Sequence, residues 1–212
     1  ADTRALLGAG TIGAGRGRIT WLVRIGFVLV PLSHSAGMNL ITLLAFRYLT
    51  DNLAISAALA GALFAFVKIY DGILDPALGA LSDRTRTRWG RRLPYLLAGG
   101  LAMPAAVVMV FNAPAFDSQT WVIGFLVIAL VLHATAYTAL TVPGMAMLVE
   151  VTDDSHERST LMSFRVLGNS LGVLLGSTLP AWLLVQWGAT REGHARMSWV
   201  VAAILVVAGV AA

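Results

Sequence analysis

Lys68, Asp71 and Asp75 stand three and four residues apart within a stretch that is otherwise apolar. On an α-helix that spacing places all three on one face, with successive groups in reach of one another. A charge within hydrocarbon costs about 2.5–3.5 kcal/mol on insertion scales, so such residues usually face a cavity and serve a function there. Two carboxylates one turn apart in a low dielectric repel, and they relieve that repulsion by sharing a proton or holding a cation. A Lys68–Asp71 ion pair that only pins helices, with Asp75 capping or pairing elsewhere, is the alternative that the residues leave open.

Two further polar faces accompany this triad. His133, Tyr137 and Thr141 recur every four residues, with Thr138 beside them, and Ser33, His34, Ser35 and Asn39 follow Pro31. Hydroxyls and rings inside a membrane either bind a ligand or join helices through modest hydrogen bonds, and by themselves these fit both readings. Gly168, Gly172 and Gly176 form a strip of small residues at four-residue spacing, which predicts close helix contact. Gly8, Gly10 and Gly13 match a G-x-G-x-x-G spacing. A dinucleotide site would also need a preceding strand and an acidic residue about 20 positions on, and neither is present.

The elements that must position these groups follow from composition. Of 212 residues, 58% are hydrophobic and 12% charged, with mean hydropathy +0.78. That charged fraction is about half what a water-facing surface carries, which excludes a soluble enzyme and a disordered chain and leaves a membrane protein, all-α by the length of its apolar runs. The absence of Cys removes disulfides and thiol chemistry. Apolar runs of about 20 residues predict spans near 25–46, 53–82, 93–111, 120–148 and 166–187, and a shorter sixth from 197 to 212. Such a short last run predicts a sixth helix that breaks off near its end. Asp71 lies twelve residues from Asp83, roughly 18 Å along a helix and near the bilayer midplane.

Basic residues set the orientation. Arg4, Arg16, Arg18 and Arg24, five arginines from Arg84 to Arg92, and Arg158 and Arg165 give eleven on the amino-terminal side, against Arg47, Arg191 and Arg196 opposite. The positive-inside rule then predicts a cytoplasmic segment over 1–24 and a six-helix unit over 25–212. The basic balance thus reflects topology, and nucleic acid is not an expected partner. No nucleophile triad or metal-ligand constellation is present beyond the carboxylate pair, so an enzyme is not expected.

Residues 68–95 read KIYDGILDPALGALSDRTRTRWGRRLPY. The block Asp71-x-x-x-Asp75-Pro76, Gly79-x-x-x-Asp83-Arg84 and Arg88-Trp89-Gly90-Arg91, closed by Pro94, resembles the glycoside, pentoside, hexuronide and cation symporter family, the melibiose-permease-like group of the major facilitator superfamily. Weaker similarity runs through Tyr137, Thr138 and Pro143 to Arg165.

That resemblance implies the six-helix amino-terminal half of a twelve-helix transporter, built as an inverted 3+3 repeat, in a bacterial inner membrane. It implies a cation site of Asp71, Asp75 and Thr138, occupied by Na⁺ or H⁺, beside which the helical spacing puts Lys68 as charge partner. Leu74 stands where the family places an Asn ligand, which leaves a proton as the alternative to sodium. The implied solute site comprises His34, Ser35, Tyr137, Thr141 and Arg165. Ser35 and Thr141 stand where the family has sugar-binding carboxylates, so a galactoside held by paired carboxylates is not expected. The implied cytoplasmic gate comprises Gly79, Asp83, Arg84, Gly90, Arg91 and Arg92, whose arginines otherwise serve topology alone.

The leading expectation is an ion-coupled secondary transporter of a sugar or related polar solute, with no cofactor beyond the coupling ion. Its implied partners are the solute, the lipid bilayer, and a carboxy-terminal six-helix half or a second copy. The alternatives are a symporter of an amphipathic solute such as a lysolipid, and a non-transporting scaffold built on the same half-fold.

Overall fold

The computed structural model describes residues 20–88, 90–115 and 118–210. The glycine-rich motif at 8–13, the first three arginines of the charge count and Trp89 lie outside these. Helix α1 spans Trp21–Leu40, and its axis continues through wider π-helical turns at Ile41–Ala45 and Tyr48–Asn52. The remaining helices are α2 (Ala57–Arg84), α3 (Leu93–Phe111), α4 (Gln119–Val151), α5 (Ser155–Trp187) and α6 (Arg191–Val210). The described residues contain no strand. Five of these helices are long and apolar enough to cross a membrane, and α6 is the sixth and shortest in apolar length.

Local chemistry sets the boundaries. Ser56 accepts a bond from Leu59 N–H and caps α2. Asp154 accepts from His156 N–H at 2.8 Å and starts α5 eleven residues before the apolar run at 166. The charges at Glu157, Arg158 and Arg165 hide that first part of α5 from a hydropathy reading. Pro31, Pro76, Pro104, Pro143 and Pro180 each lie inside one of α1 to α5. Membrane helices tolerate such prolines because neighbouring groups satisfy the freed backbone.

The helices pair as α1 with α5, α2 with α4, and α3 with α6, while α3 also lies along α4 and α1 touches α6. Exchanging the first three helices with the last three maps α1–α5 onto α2–α4 and α3–α4 onto α1–α6, whereas the α5–α6 and α1–α3 contacts have no comparable counterpart. The closest pair is α1 and α5. A Cβ at Gly168, Gly172 or Gly176 would run into the carbonyl oxygens of Val28, Leu32 and Ala36 in turn. The α3–α6 crossing has the same character: a Cβ on Gly100 would lie 2.8 Å from the Gly209 carbonyl oxygen. Backbones this close maximise dispersion contact, which must hold helices together where lipid tails are as apolar as the side chains.

The core runs along α1, α3, α4 and α6, where Leu40, Met103, Val107, Leu126, Leu130 and Leu205 are sealed from solvent. Helix α2 is the least covered, with only 17% of its most apolar window buried. At the end where α3 meets α6, fully buried Tyr48 donates to the Phe111 carbonyl at 3.1 Å and packs with Phe111 and His194. Asn112 donates to Ser198 at 2.8 Å beside this cluster.

The glycine strip makes a prediction. Gly172→Leu should lower the stability of the detergent-solubilised protein by about 3 kcal/mol or abolish folding, because the α1 backbone cannot yield. Gly124→Leu on α4 should be tolerated, since a Cβ there meets nothing within 4 Å. Thermal unfolding followed by size-exclusion chromatography compares the two.

Candidate functional site

The carboxylate pair is presented by α2 and completed by α4. Lys68 Nζ lies 3.2 Å from Asp71 Oδ2, with the lysine side chain 59% exposed and the aspartate 16%. The other Asp71 oxygen, Oδ1, is buried and receives no hydrogen bond from any described residue. Asp71 lines a small cavity, ≈ 30 Å³ or room for about one water, together with Lys68, Thr42, His133 and Tyr137. His133 is buried, and its Nε2 is likewise without a partner.

One turn further on, Asp75 Oδ1 accepts a hydrogen bond from Thr138 Oγ1 at 2.8 Å. Thr138 is sealed inside, whereas Asp75 stands exposed on the uncovered face of α2. A second polar rung joins the same helices, Tyr70 OH to Thr135 Oγ1 at 2.9 Å. Pro76 follows Asp75 and donates no hydrogen bond to the Gly72 carbonyl, four residues back. Asp71, Asp75, Thr138 and that carbonyl supply oxygens suited to a hard monovalent cation, or bases for a proton. Leu74 supplies none.

The implied solute residues converge from α1, α4 and α5. Buried His34 stacks edge-on against Tyr137, ring centres 5.6 Å apart. Ser35 Oγ makes a short hydrogen bond to Asn169 Oδ1 on α5. Asn39 holds the carbonyl of Ser35 at 3.0 Å, which steadies that turn of α1. Arg165, half-buried on α5, brings its guanidinium up to Gly144 of α4. Thr141 differs from the rest: its hydroxyl donates to the Tyr137 carbonyl of its own helix at 2.9 Å, leaving only lone pairs for a ligand. Tyr137 belongs to both groups, since it lines the Asp71 cavity and touches His34.

A charge cluster ties the α2–α3 loop to the end of α4. Arg92, with only 9% of its side chain exposed, donates to Asp83 at 3.0 Å and twice to Glu150, at 2.7 and 2.9 Å. Arg91 reaches the same Glu150 oxygen at 2.6 Å. Gly90, at φ +93°, turns the chain where most side chains would be strained, and its N–H donates to the Thr87 carbonyl. Gly79 faces Val142 of α4, at a distance that a Cβ would also tolerate. Arg84 is exposed and takes no part in this cluster.

Asn169, Thr135 and Glu150 were not evident from the sequence reading. Each is a single polar residue whose partner lies on another helix, between 58 and 134 positions away. No local spacing marks them.

Comparison with known proteins adds the following. The profile of a family described as "MFS/sugar transport protein" matches residues 26–212. An uncharacterized symporter of Synechocystis sp. is 35% identical over 164 residues, covering 71% of this chain and 30% of the relative. The isoprimeverose transporter of Lactiplantibacillus pentosus is 29% identical over 191 residues, covering 89% of this chain and 39% of the relative. The inner membrane symporter YicJ of Escherichia coli is 31% identical over 147 residues, covering 69% and 32%. The chain thus spans between 30% and 39% of the length of these relatives.

The charge cluster is directly testable. Glu150→Gln should destabilise the solubilised protein by roughly 1–3 kcal/mol, the scale of hydrogen bonds to a charged acceptor discounted for its partial exposure. It should also speed proteolysis of the 85–92 loop. A double-mutant cycle with Arg92→Gln, read by thermal unfolding, should show coupling between the two positions, and strict additivity would contradict the contact.

Proposed function

The chain belongs to the MFS/sugar transport protein family, an all-α family of multi-pass membrane proteins that are transporters rather than enzymes, and from that premise we propose an ion-coupled secondary transporter of a sugar or related polar solute. The observation that carries the proposal is the Asp75–Thr138 contact one turn from Asp71, deep in the apolar part of α2. With Lys68 positive and two aspartates negative, the site holds one negative charge in excess. A single Na⁺ or H⁺ neutralises it. An empty site is therefore costly in hydrocarbon, so ion binding is favoured and can be linked to movement of the helices that hold the solute.

In this reading Asp71, Asp75 and Thr138 bind the ion, and Lys68 tunes its affinity. His34, Ser35, Tyr137 and Arg165 face the solute, with Thr141 as an acceptor only. Tyr137, shared by the two groups, is the mechanical link between ion and solute. The Asp83–Arg92–Glu150 cluster closes one end of the bundle while the site faces the other. The likeness to named symporters supports this assignment. The distribution of arginines supports a cytoplasmic amino terminus and 85–92 loop, in a bacterial inner membrane. Six further helices, or a second copy, complete the cavity.

In full-length protein reconstituted into proteoliposomes, Asp71→Asn and Asp75→Asn should each abolish gradient-driven accumulation across a panel of labelled glycosides and pentosides. Solute exchange should persist, because other helices hold the solute. Imposing Na⁺ and proton gradients separately identifies the ion. Accumulation that survives both substitutions together would refute the proposal in favour of a scaffold. These 212 residues contain no Cys, so Arg86→Cys, in full-length protein with any cysteine outside them replaced, provides a single thiol, and an impermeant reagent added outside intact cells should fail to label it.

A further inference from the structure

Two polar atoms beside the ion site are sealed and unpaired. Asp71 Oδ1 on α2 and His133 Nε2 on α4 are buried, and neither has a hydrogen-bond partner among the described residues. Both residues line one cavity of ≈ 30 Å³, together with Lys68, Tyr137 and, from α1, Thr42. The whole of His133 is only 4% exposed. Because neither atom reaches the surface, further helices packed on the outside of α2 cannot touch them. What satisfies them must lie in the space that α1, α2 and α4 enclose.

The chemistry of the two atoms selects the occupant. An ionised carboxylate only accepts hydrogen bonds, and an imidazole nitrogen accepts or donates according to its tautomer. The Lys68 ammonium is directed to the other carboxylate oxygen, Asp71 Oδ2, at 3.2 Å. A hard cation prefers oxygen ligands throughout, whereas one of the two free atoms here is a nitrogen. A water, with two hydrogens and two lone pairs, satisfies both atoms in either tautomer. The cavity has room for about one such molecule, and buried waters hold roughly two to four polar partners each. Thr42 or Lys68 supplies the third.

We propose that this cavity holds one water bridging Asp71 Oδ1 to His133 Nε2, and that His133 is a positioning residue that sets ion affinity by fixing the Asp71 carboxylate through that water. The inference rests on the coupling reading above and adds a residue to that same site. With Lys68 on one oxygen and the water on the other, the carboxylate cannot swing, and it presents a constant face to the arriving ion. Asp75 needs no such support, since Thr138 already donates to it. His133 also stands one turn before Tyr137, which lines the same cavity and packs on His34. A pull of the ion on Asp71 thus reaches the helix that carries the solute wall.

The test uses full-length protein in nanodiscs and reads the rise in thermal stability that an ion causes, so no solute is needed. Na⁺ is raised at fixed pH in one arm, and pH is lowered without Na⁺ in the other. In the arm to which the unaltered protein responds, His133→Leu should raise the half-saturating ion concentration about tenfold or more, the loss typical when the partner of a ligating group is removed. His133→Gln, whose amide accepts or donates at similar reach, should stay within about threefold. A His133→Leu response equal to that of the unaltered protein would overturn the proposal. So would equal losses in the two variants, because packing alone would then explain them. A density map of the unaltered full-length protein decides even if neither variant folds: it should show a water within hydrogen-bond distance of both atoms, and a dry cavity or a direct His133–Asp71 contact would contradict the bridge. If Asp75→Asn removes the ion response while both His133 variants keep it, the positioning inference alone has failed. If the unaltered protein responds in neither arm, the coupling reading falls and this inference falls with it.

Discussion

Three glycines spaced one turn apart on α5 allow the carbonyls of Val28, Leu32 and Ala36 on α1 to lie where side chains would otherwise stand. The rest of the site depends on this proximity. His34 and Ser35 occupy the same stretch of α1 as those carbonyls, and Asn169 and Arg165 occupy the same stretch of α5 as the glycines. With the backbones so close, Ser35 reaches Asn169 directly, and α4 is left to close the third side with Tyr137. Bulkier residues would widen the gap and separate the groups. The apolar solvent supplies no hydrophobic drive to bring them together again.

The charges are arranged around the same constraint. Helix α2 carries three ionisable groups along its apolar length, and it is the least covered of the helices. Besides the apolar contacts of Ala60, Leu63 and Val67, it is held by polar rungs to α4, at Tyr70–Thr135 and Asp75–Thr138, and by the Arg92 cluster at its end. The Asp75 rung and the Arg92 cluster depend on carboxylate charge, whereas the glycine packing of α1 on α5 does not.

Much of this was legible in the sequence, and the reasons differ from residue to residue. The positions of Lys68, Asp71 and Asp75 on one face follow from spacing, and the glycine strip follows in the same way. The third apolar run coincides with α3, at Leu93–Phe111, because Arg92 and Asn112 bound it sharply. The start of α5 was not legible, since its first turns are charged and only the Asp154 cap marks them. Nor were the π-helical turns that extend α1 through Ile41–Ala45, because their residues read as ordinary apolar helix. Partners such as Glu150 and Asn169 are set by helix crossings, and crossings leave no local trace in a single chain. Thr138 stood out beside the polar face of α4, but its place at the ion site came through resemblance.

The two ends of the bundle are held by different materials. One is closed by Arg91, Arg92, Asp83 and Glu150, contacts that water and salt can dissolve and that reform without repacking. The other is wedged by Tyr48, Phe111 and His194, rings whose interlocked shapes admit no sliding. A body clamped at one end and latched at the other behaves as a lever. For a helix about 30 Å long, a tilt of about 10° around the aromatic wedge carries the latched end through about 5 Å. That displacement is large enough to part the ionic contacts entirely, while the rings at the fulcrum barely shift.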